Sequence, residues 1–291
     1  MIEEAADMKT VVCKIGGSII EGVDPSIVDD IKSLRAQNVR IVLVHGGGDQ
    51  VTEYAEKLGK KQRFITSPEG IKSRYTDKET AEIFTMVMNG LLSKKIVQTL
   101  LVSGINAISL SGLDGSLLMA DRKQRLLIVD ERGRKVAIEG GYTGKITSVN
   151  TKLLSNLFDL SIVPVISPVA AENGNWNLLN IDGDRACSHI AGALKADASI
   201  FLTDTAGLIL VGSVVRNLTT VEAKKALSSI GSGMDKKVIA AVEAVEMGSR
   251  RSVISSGLKK NPIQRALNNE GTVITLSEAM DYSVELQSAK R

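Results

Sequence analysis

Lys14 stands inside the apolar run of "VVCKIGGSI", and Gly16, Gly17 and Ser18 follow it closely. A second run, "IVLVHGGGDQV", places Gly46, Gly47 and Gly48 between a strand-like segment and a helix expected to begin near Asp49. Glycines have no Cβ, so a polyanion can approach the backbone N–H groups of such turns and the positive end of a following helix. The chemistry suggested is the handling of a phosphate chain. Either turn alone also has a purely steric reading, since tight strand-to-helix connections need glycine. Two familiar nucleotide fingerprints are absent: there is no G-x-x-x-x-G-K-[ST], and no G-x-G-x-x-G opens a helix after a strand.

Four further stretches concentrate polar chemistry. In "NIDGDRACSHIAGAL", Asp184 precedes a helical pattern and reads first as its N-cap. Asn180 and Asp182 lie in the tight turn before it, so three polar side chains can enter one cleft. In "GSGMDKKVIAAVEAV", Gly231 and Gly233 lead into a helix whose first turn carries Lys236 and Lys237. Cations there oppose the helix dipole by about 0.3–1 kcal/mol, so a compensating anion is expected. "FLTDTAGLIL" ends a strand at Thr203 and Asp204 and turns at Gly207, which suits one wall of a nucleotide pocket.

The fourth stretch, "RFITSPEGIKSRYTDKET", reads as a connecting loop bent by Pro68 and Gly70. Seven Lys or Arg residues lie between Lys57 and Lys78, against the acids Glu69 and Asp77. Seven more lie between Arg122 and Lys145, against three acids. Either segment alone is compatible with an ordinary solvated surface.

These residues need a frame. "TVVCKI", "RIVLV", "INAISL", "IVPVIS", "ASIFLT", "RSVIS" and "TVITL" are short β-branched runs, and helical patterns lie over 26–37, 77–101, 184–196 and 233–248. Strands apolar on both faces, separated by helices, predict an open, mainly parallel α/β sheet sandwiched by helices. "QRLLIVDERGRKVAIEGG" breaks the alternation and reads as a β-hairpin. "ENGN" at 172–175 is the candidate boundary between two lobes, residues 1–174 and 175–291.

Composition sets the outer limits. The chain is 43% hydrophobic but only 3% aromatic, so aliphatic side chains must do most of the packing. A net charge of +3 and no interleaved aromatics argue against a nucleic-acid partner. No apolar run reaches the ~18 residues of a membrane span. "MIEEAADMKT" is too acidic for a signal peptide, and Cys13 and Cys187 read as buried and reduced. A cytoplasmic protein is expected.

Taken in order, K-x-G-G-S, H-G-G-G, R-x-T-D, N-x-[ND]-x-D, T-D-x-x-G-[LIV] and G-M-x-x-K resemble the amino acid kinase family over roughly Thr10 to Leu276. The resemblance is closest to the acetylglutamate kinase branch. Within it, "RFITSPEGIKSRYTD" is similar to kinases that act on α-aminoadipate or glutamate attached to an amino-group carrier protein, in lysine and arginine biosynthesis.

That resemblance implies a two-lobed amino acid kinase fold with a β-hairpin lid. Its N-terminal lobe would bind the acyl amino acid and form a homodimer, and its C-terminal lobe would bind ATP with Mg²⁺. It assigns catalysis to Lys14, Asp184 and Lys237, with Asp184 holding the two lysines in register. Gly46, Gly47, Arg74 and Asn180 would meet the substrate, Arg74 by gripping its α-carboxylate. Lys14, Gly16, Gly17, Thr203, Asp204, Gly207, Met234 and Lys237 would meet the nucleotide, and Gly17, Gly46 and Gly47 would offer backbone N–H groups. No protein metal ligands are implied.

Acetylglutamate kinases usually carry asparagine where this chain has Asp182, which leaves the role of Asp182 open. Only about nine residues precede the first strand, too few for the mobile helix of arginine-inhibited acetylglutamate kinases. His45 and His189 read as structural, because a carboxylate nucleophile needs no general base. Trp176 and the 87–101 stripe read as core or dimer interface. The two basic segments are expected to rim one mouth and to receive a small acidic carrier. The alternatives are a kinase of free N-acetylglutamate and a non-catalytic ligand sensor.

Overall fold

The computed structural model describes residues 9–17, 24–231 and 233–276. Ser18 and the segment before the first strand lie outside the described residues. The chain begins with β1 (Thr10–Ile15), α1 (Pro25–Ala36), β2 (Arg40–His45) and α2 (Gly48–Lys57). A short hairpin of β3 (Phe64–Thr66) and β4 (Lys72–Arg74) follows. The segment expected as a loop is therefore paired, with Phe64 opposite Arg74 and the Pro68–Gly70 bend at its tip.

The long helix expected over 77–101 is present but interrupted. It consists of α3 (Lys78–Thr85), a π-helical turn (Met86–Leu92) and α4 (Ser93–Val102). Then come β5 (Ala107–Leu110), β6 (Leu118–Arg122), β7 (Arg125–Val129), β8 (Lys135–Glu139), β9 (Gly144–Val149) and α5 (Thr151–Asp159). β7 and β8 form the expected hairpin, whose turn is tied by Asp130 accepting from the Arg132 and Arg134 N–H groups. Next are β10 (Val163–Ile166), β11 (Val169–Glu172), β12 (Leu178–Asn180), α6 (Gly183–Ala193) and β13 (Ala198–Thr203). The described chain ends with β14 (Ile209–Leu210), β15 (Ser213–Val214), β16 (Asn217–Thr219), α7 (Thr220–Ala226), α8 (Met234–Glu246), β17 (Ser252–Ser256), α9 (Pro262–Leu267) and β18 (Thr272–Thr275).

Eight strands form one sheet in the order β16-β18-β17-β13-β1-β2-β10-β5. All neighbours are parallel except β17 and β18. The sheet is thus mainly parallel, and burying both faces explains its continuous apolar strands. Alternation along β1 sends Val11, Cys13 and Ile15 into the core under α1 and the π turn, and Val12 into the core under α6 and α8. Lys14 shares the parity of Val12. It therefore emerges at the strand's C-terminal end on the side where α6 begins. Cys13 and Cys187 are buried free thiols belonging to the two opposite cores.

A smaller sheet, β12-β11-β6-β9, caps this edge. The 174/175 position falls in the turn between β11 and β12. Trp176, expected in a core or interface, sits exposed in that same turn with φ 61°.

Candidate active site

The C-terminal ends of β1 and β2 bring the two glycine turns together. A Cβ on Gly17 would come within 3.1 Å of the Gly47 nitrogen and Cα, so the backbones approach too closely for a side chain between them. Gly47 has φ 141°, and a Cβ there would run into Leu92 and lie 3.2 Å from Met88 Sδ. Glycine at 47 is required both by its dihedral and by the π turn packed behind it.

Gly46 was expected to donate its N–H to ligand, but that N–H is donated to Ile15 O at 2.9 Å. Among the described residues the Gly47 N–H has no partner, and α2 has no side-chain cap, so the N–H groups that can meet a ligand fall there instead.

Lys14, Asp184 and Lys237 converge beside these turns. Lys14 Nζ lies 2.8 Å from Asp184 Oδ1, and Lys237 Nζ lies 3.8 Å from Asp184 Oδ2. Lys14 and Asp184 are 8% and 6% exposed, so both charges are effectively out of water. Burial alone would lower the Lys14 pKa, but the Asp184 carboxylate outweighs it and raises the value above the ordinary lysine range. Burial would likewise raise Asp184, yet Lys14 and then Lys237 hold it below the usual carboxylate value. The pair is charged, and such a pair is costly to bury and weak as a stabiliser. Stability alone therefore does not account for its place beside the two glycine turns.

Asp184 is not the N-cap. Asp182 takes that role, accepting from the N–H groups of Asp184 at 2.9 Å and Arg185 at 3.1 Å. Asp184 is thereby free to face the lysines. Asn180, at the end of β12, donates to Thr76 Oγ1 at 2.9 Å.

A cleft of about 920 Å³ is lined by Gly46, Gly47, Arg74, Asn180, Asp182 and Gly183. Lys14 lies directly behind this lining, 3.7 Å from where a Cβ on Gly46 or Gly183 would stand. The β3–β4 and β7–β8 hairpins both wall the cleft, so the two basic segments meet over one mouth. Arg74 is fixed in place: its guanidinium donates to Gln62 Oε1, to Gly48 O at 2.7 Å and to Thr52 Oγ1 at 2.9 Å. The Phe64 ring lies 5.0 Å from it.

Thr203, Asp204, Gly207 and Met234 stand apart from this cleft, at the end of β13 and the start of α8. Thr203 donates to Asp204 Oδ1 at 3.0 Å, and Gly207 has φ 147° against Thr272. Gly16 and Gly17 end β1 beside them in sheet order.

Lys123 and Lys145, both counted in the second basic segment, line the cleft, and so does His189, which read as structural in the sequence. Arg185 lines it as well and had no sequence signal of its own. Burial, then Arg185 and Lys145, lower the Lys123 pKa, while Asp182 works in the opposite direction. Lys236, at the head of α8, reaches across to Lys72 O at 2.5 Å. Not every rim charge is available. Lys60 is held by Asp77 at 2.8 Å and Glu79 at 2.6 Å, and Arg134 by Asp130 at 2.8 Å.

Comparison with known proteins places this geometry. A Saccharolobus solfataricus protein named [LysW]-aminoadipate/[LysW]-glutamate kinase is 45% identical over 264 residues, covering 91% of this chain and 98% of that protein. A protein of Cenarchaeum symbiosum (strain A) is 54% identical over 261 residues, covering 90% of this chain and 97% of that one. Among solved structures, N-acetylglutamate synthase from Neisseria gonorrhoeae superposes with TM-score 0.76 at 23% identity, over 96% of this chain and 63% of that one, and shares the fold. The amino acid kinase family profile matches residues 9–256. Because that match takes in both glycine turns, Arg74, Asn180 and the Lys14–Asp184–Lys237 group, the chain belongs to the amino acid kinase family.

Proposed function

We propose that this protein is an ATP-dependent kinase that phosphorylates the side-chain carboxylate of α-aminoadipate or glutamate carried on an amino-group carrier protein, giving an acyl phosphate. The observation that carries the reading is the buried Lys14–Asp184–Lys237 group set beside the glycine turns, with Lys14 behind Gly46 and Gly183 of a cleft that has Arg74 on its wall. The relatives' names supply the carrier-linked substrate.

A carboxylate of ordinary pKa, about 4.3, is already ionised near neutral pH and needs no base. One of its oxygens forms a bond to the γ-phosphorus while the bond from that phosphorus to the β–γ bridging oxygen breaks, and the electron pair leaves with ADP. The obstacle is the approach of two anions and the charge gathered at the leaving oxygen. Lys14 would meet the transferring phosphoryl group and Lys237 the β/γ side. Asp184 holds both ammonium groups in place and keeps that of Lys14 charged. Arg74 would hold the α-carboxylate as a pre-positioned fork, and Asn180 the amide.

The lobe of residues 1–174 would carry the acyl amino acid, and residues 175–291 the nucleotide, with Gly16, Gly17, Thr203, Asp204, Gly207 and Met234 on the ATP side. Among the described residues no group of three or more His, Cys, Asp or Glu could hold a metal, and both Asp184 oxygens face lysines. In this reading Mg²⁺ is brought on the phosphates of ATP, and no step above runs through it.

A homodimer through the α3–α4 helix fits the exposure of Met86, Leu101 and Val102. No helix among the described residues is long and apolar enough to cross a membrane, and a cytoplasmic setting suits the two buried thiols. The deciding experiment is a kinase assay on carrier-linked aminoadipate and glutamate beside free N-acetylglutamate. Equal or better turnover of the free compound would make this an acetylglutamate kinase.

A further inference from the structure

His45 ends β2, directly before the glycine turn, and its side chain is fully buried. Its Nδ1 lies 2.8 Å from Gly46 O, and its Nε2 lies 2.7 Å from Ser93 Oγ. A carbonyl oxygen only accepts, so Nδ1 carries the proton. Ser93 Oγ lies 2.7 Å from Nε2 and 2.9 Å from Met88 O; Met88 O already accepts the Ser93 backbone N–H, so the one hydroxyl proton goes to Nε2, which otherwise has none. Burial pushes the His45 pKa down to about 4, so the ring keeps one neutral tautomer across the working range of a carboxylate kinase.

The consequence lies in the next peptide. A trans peptide is planar, so the Gly46 carbonyl and the Gly47 N–H point in opposite directions. Holding the carbonyl against the imidazole turns the Gly47 N–H away from it. That N–H has no partner among the described residues, and it lies where a Cβ on Gly17 would be 3.1 Å away. The Gly47 nitrogen thus stands at the close approach of the two glycine turns.

The π turn supports the same arrangement. Ser93 N–H reaches back five residues to Met88 O, which widens the helix just where it passes the glycine turn. One wide turn brings Met88 and Leu92 against Gly47 and Ser93 against His45. Such π turns recur at functional sites. Nothing in the 3.6-residue pattern of this helix requires one, but this contact set does.

We propose that His45 is a positioning residue which, braced by Ser93, sets the Gly46–Gly47 peptide so that the Gly47 N–H is presented to the phosphoryl group being transferred. The proposal rests on the kinase reading for the identity of that group. It adds a role for a histidine that proton transfer does not need.

Asparagine and glutamine separate this role from packing. Asn Nδ2 occupies the place of His Nδ1 and can still donate to Gly46 O, whereas Gln Nε2 and Phe cannot. His45→Asn is expected to lower kcat by no more than about fivefold, and His45→Gln and His45→Phe by about 10²-fold, the scale of losing one oriented donor. KM for ATP should change little in all three. If the loss instead follows melting temperature, or Asn is as damaging as Phe, the proposal is overturned.

A second measurement is independent of turnover. In protein carrying ¹⁵N-glycine, the Gly47 amide should shift on addition of AMP-PNP in wild type and His45→Asn, but not in His45→Phe. A wild-type Gly47 amide that does not respond overturns the proposal. If it responds while no carboxylate acceptor is phosphorylated, the substrate reading fails and the positioning role stands.

Discussion

Asp182 Oδ1 accepts the backbone N–H of Asp184 at 2.9 Å, and this bond divides the labour between two acids that lie two residues apart. Asp182 caps α6, while Asp184 points at Lys14 and Lys237. Their variants should therefore fail differently. Asp182→Ala should cost about 1 kcal/mol of stability, as a lost N-cap does, with a modest effect on kcat. Asp184→Asn should lower kcat by orders of magnitude in a folded protein, because the lysines lose their common anchor. Urea titration beside steady-state kinetics distinguishes the two. A folded Asp184→Asn enzyme with wild-type turnover would remove that residue from the mechanism.

The same pair sets a pH dependence. Asp184 is held below its ordinary value of 3.8, so its contribution is complete above that value and is lost only as pH falls through its folded pKa. Lys14 is raised above 10.5, so its contribution is complete below that value and is lost only as pH rises through its folded pKa. The pair should thus be silent between these limits, and kcat should show no limb from it near neutrality. In Asp184→Asn the burial that lowers Lys14 loses its main opposition and is met only by the smaller effects of Asp182 and Cys187. The residual activity should then acquire a basic limb at lower pH than in wild type. Superimposable profiles for the two enzymes would contradict the coupling.

Arg74 gives a sharper test of the substrate side. Its guanidinium is fixed by Gln62, Gly48 O and Thr52 before any substrate arrives. Lysine would keep the charge but could make neither these bonds nor a planar fork to a carboxylate. Arg74→Lys should raise KM for the acceptor about 10- to 100-fold, the equivalent of about 1.5–3 kcal/mol for charged hydrogen bonds, and move KM for ATP far less. Equal shifts for both substrates would place Arg74 wrongly.

How much of this was legible in the sequence follows from the range of the forces involved. β1, β2, β10, β13 and β17 were readable because apolar strands covered on both sides leave continuous aliphatic runs. The glycine turns were readable because tight strand-to-helix connections need glycine, whereas Lys14, Asp184 and Lys237 were singled out together by the family resemblance, and the structure brings the three side chains into contact. The π turn was not, because "MVMNGLL" carries an ordinary helical pattern and only its contacts with Gly47 and His45 distinguish it. Asp30 is a similar case. It is buried in α1, yet accepts from Ile263 N at 2.7 Å, Gln264 N at 3.2 Å and Asn261 Nδ2 at 3.1 Å, and so tethers a helix distant in sequence. The β3–β4 hairpin was read as a loop because three-residue strands fall below the length at which alternation can be recognised. The cap was read at Asp184 rather than Asp182 because the two acids stand two residues apart at the start of α6 and only geometry separates them.

The last prediction concerns the carrier and turns on which rim charges are available. Lys60 and Arg134 are engaged by Asp77, Glu79 and Asp130, so reversing them would first disturb the protein's own ion pairs. Arg125 and Arg132 are exposed on the β7–β8 hairpin and have no ion pair among the described residues. If that hairpin receives an acidic protein, Arg125→Glu and Arg132→Glu should each raise KM for the carrier-linked substrate several-fold and leave kcat nearly unchanged. Neither should alter turnover of a free acyl amino acid, which needs only the inner site around Arg74. Association with the carrier should slow as ionic strength rises toward 0.5 M, where the Debye length is about 4–5 Å, because steering acts at longer range than contact. Lys60→Glu should behave differently again, lowering the melting temperature by setting a third acid beside Asp77 and Glu79. Insensitivity of the carrier-linked reaction to both salt and the two hairpin reversals would eliminate the hairpin as a docking surface and leave the inner site to account for recognition.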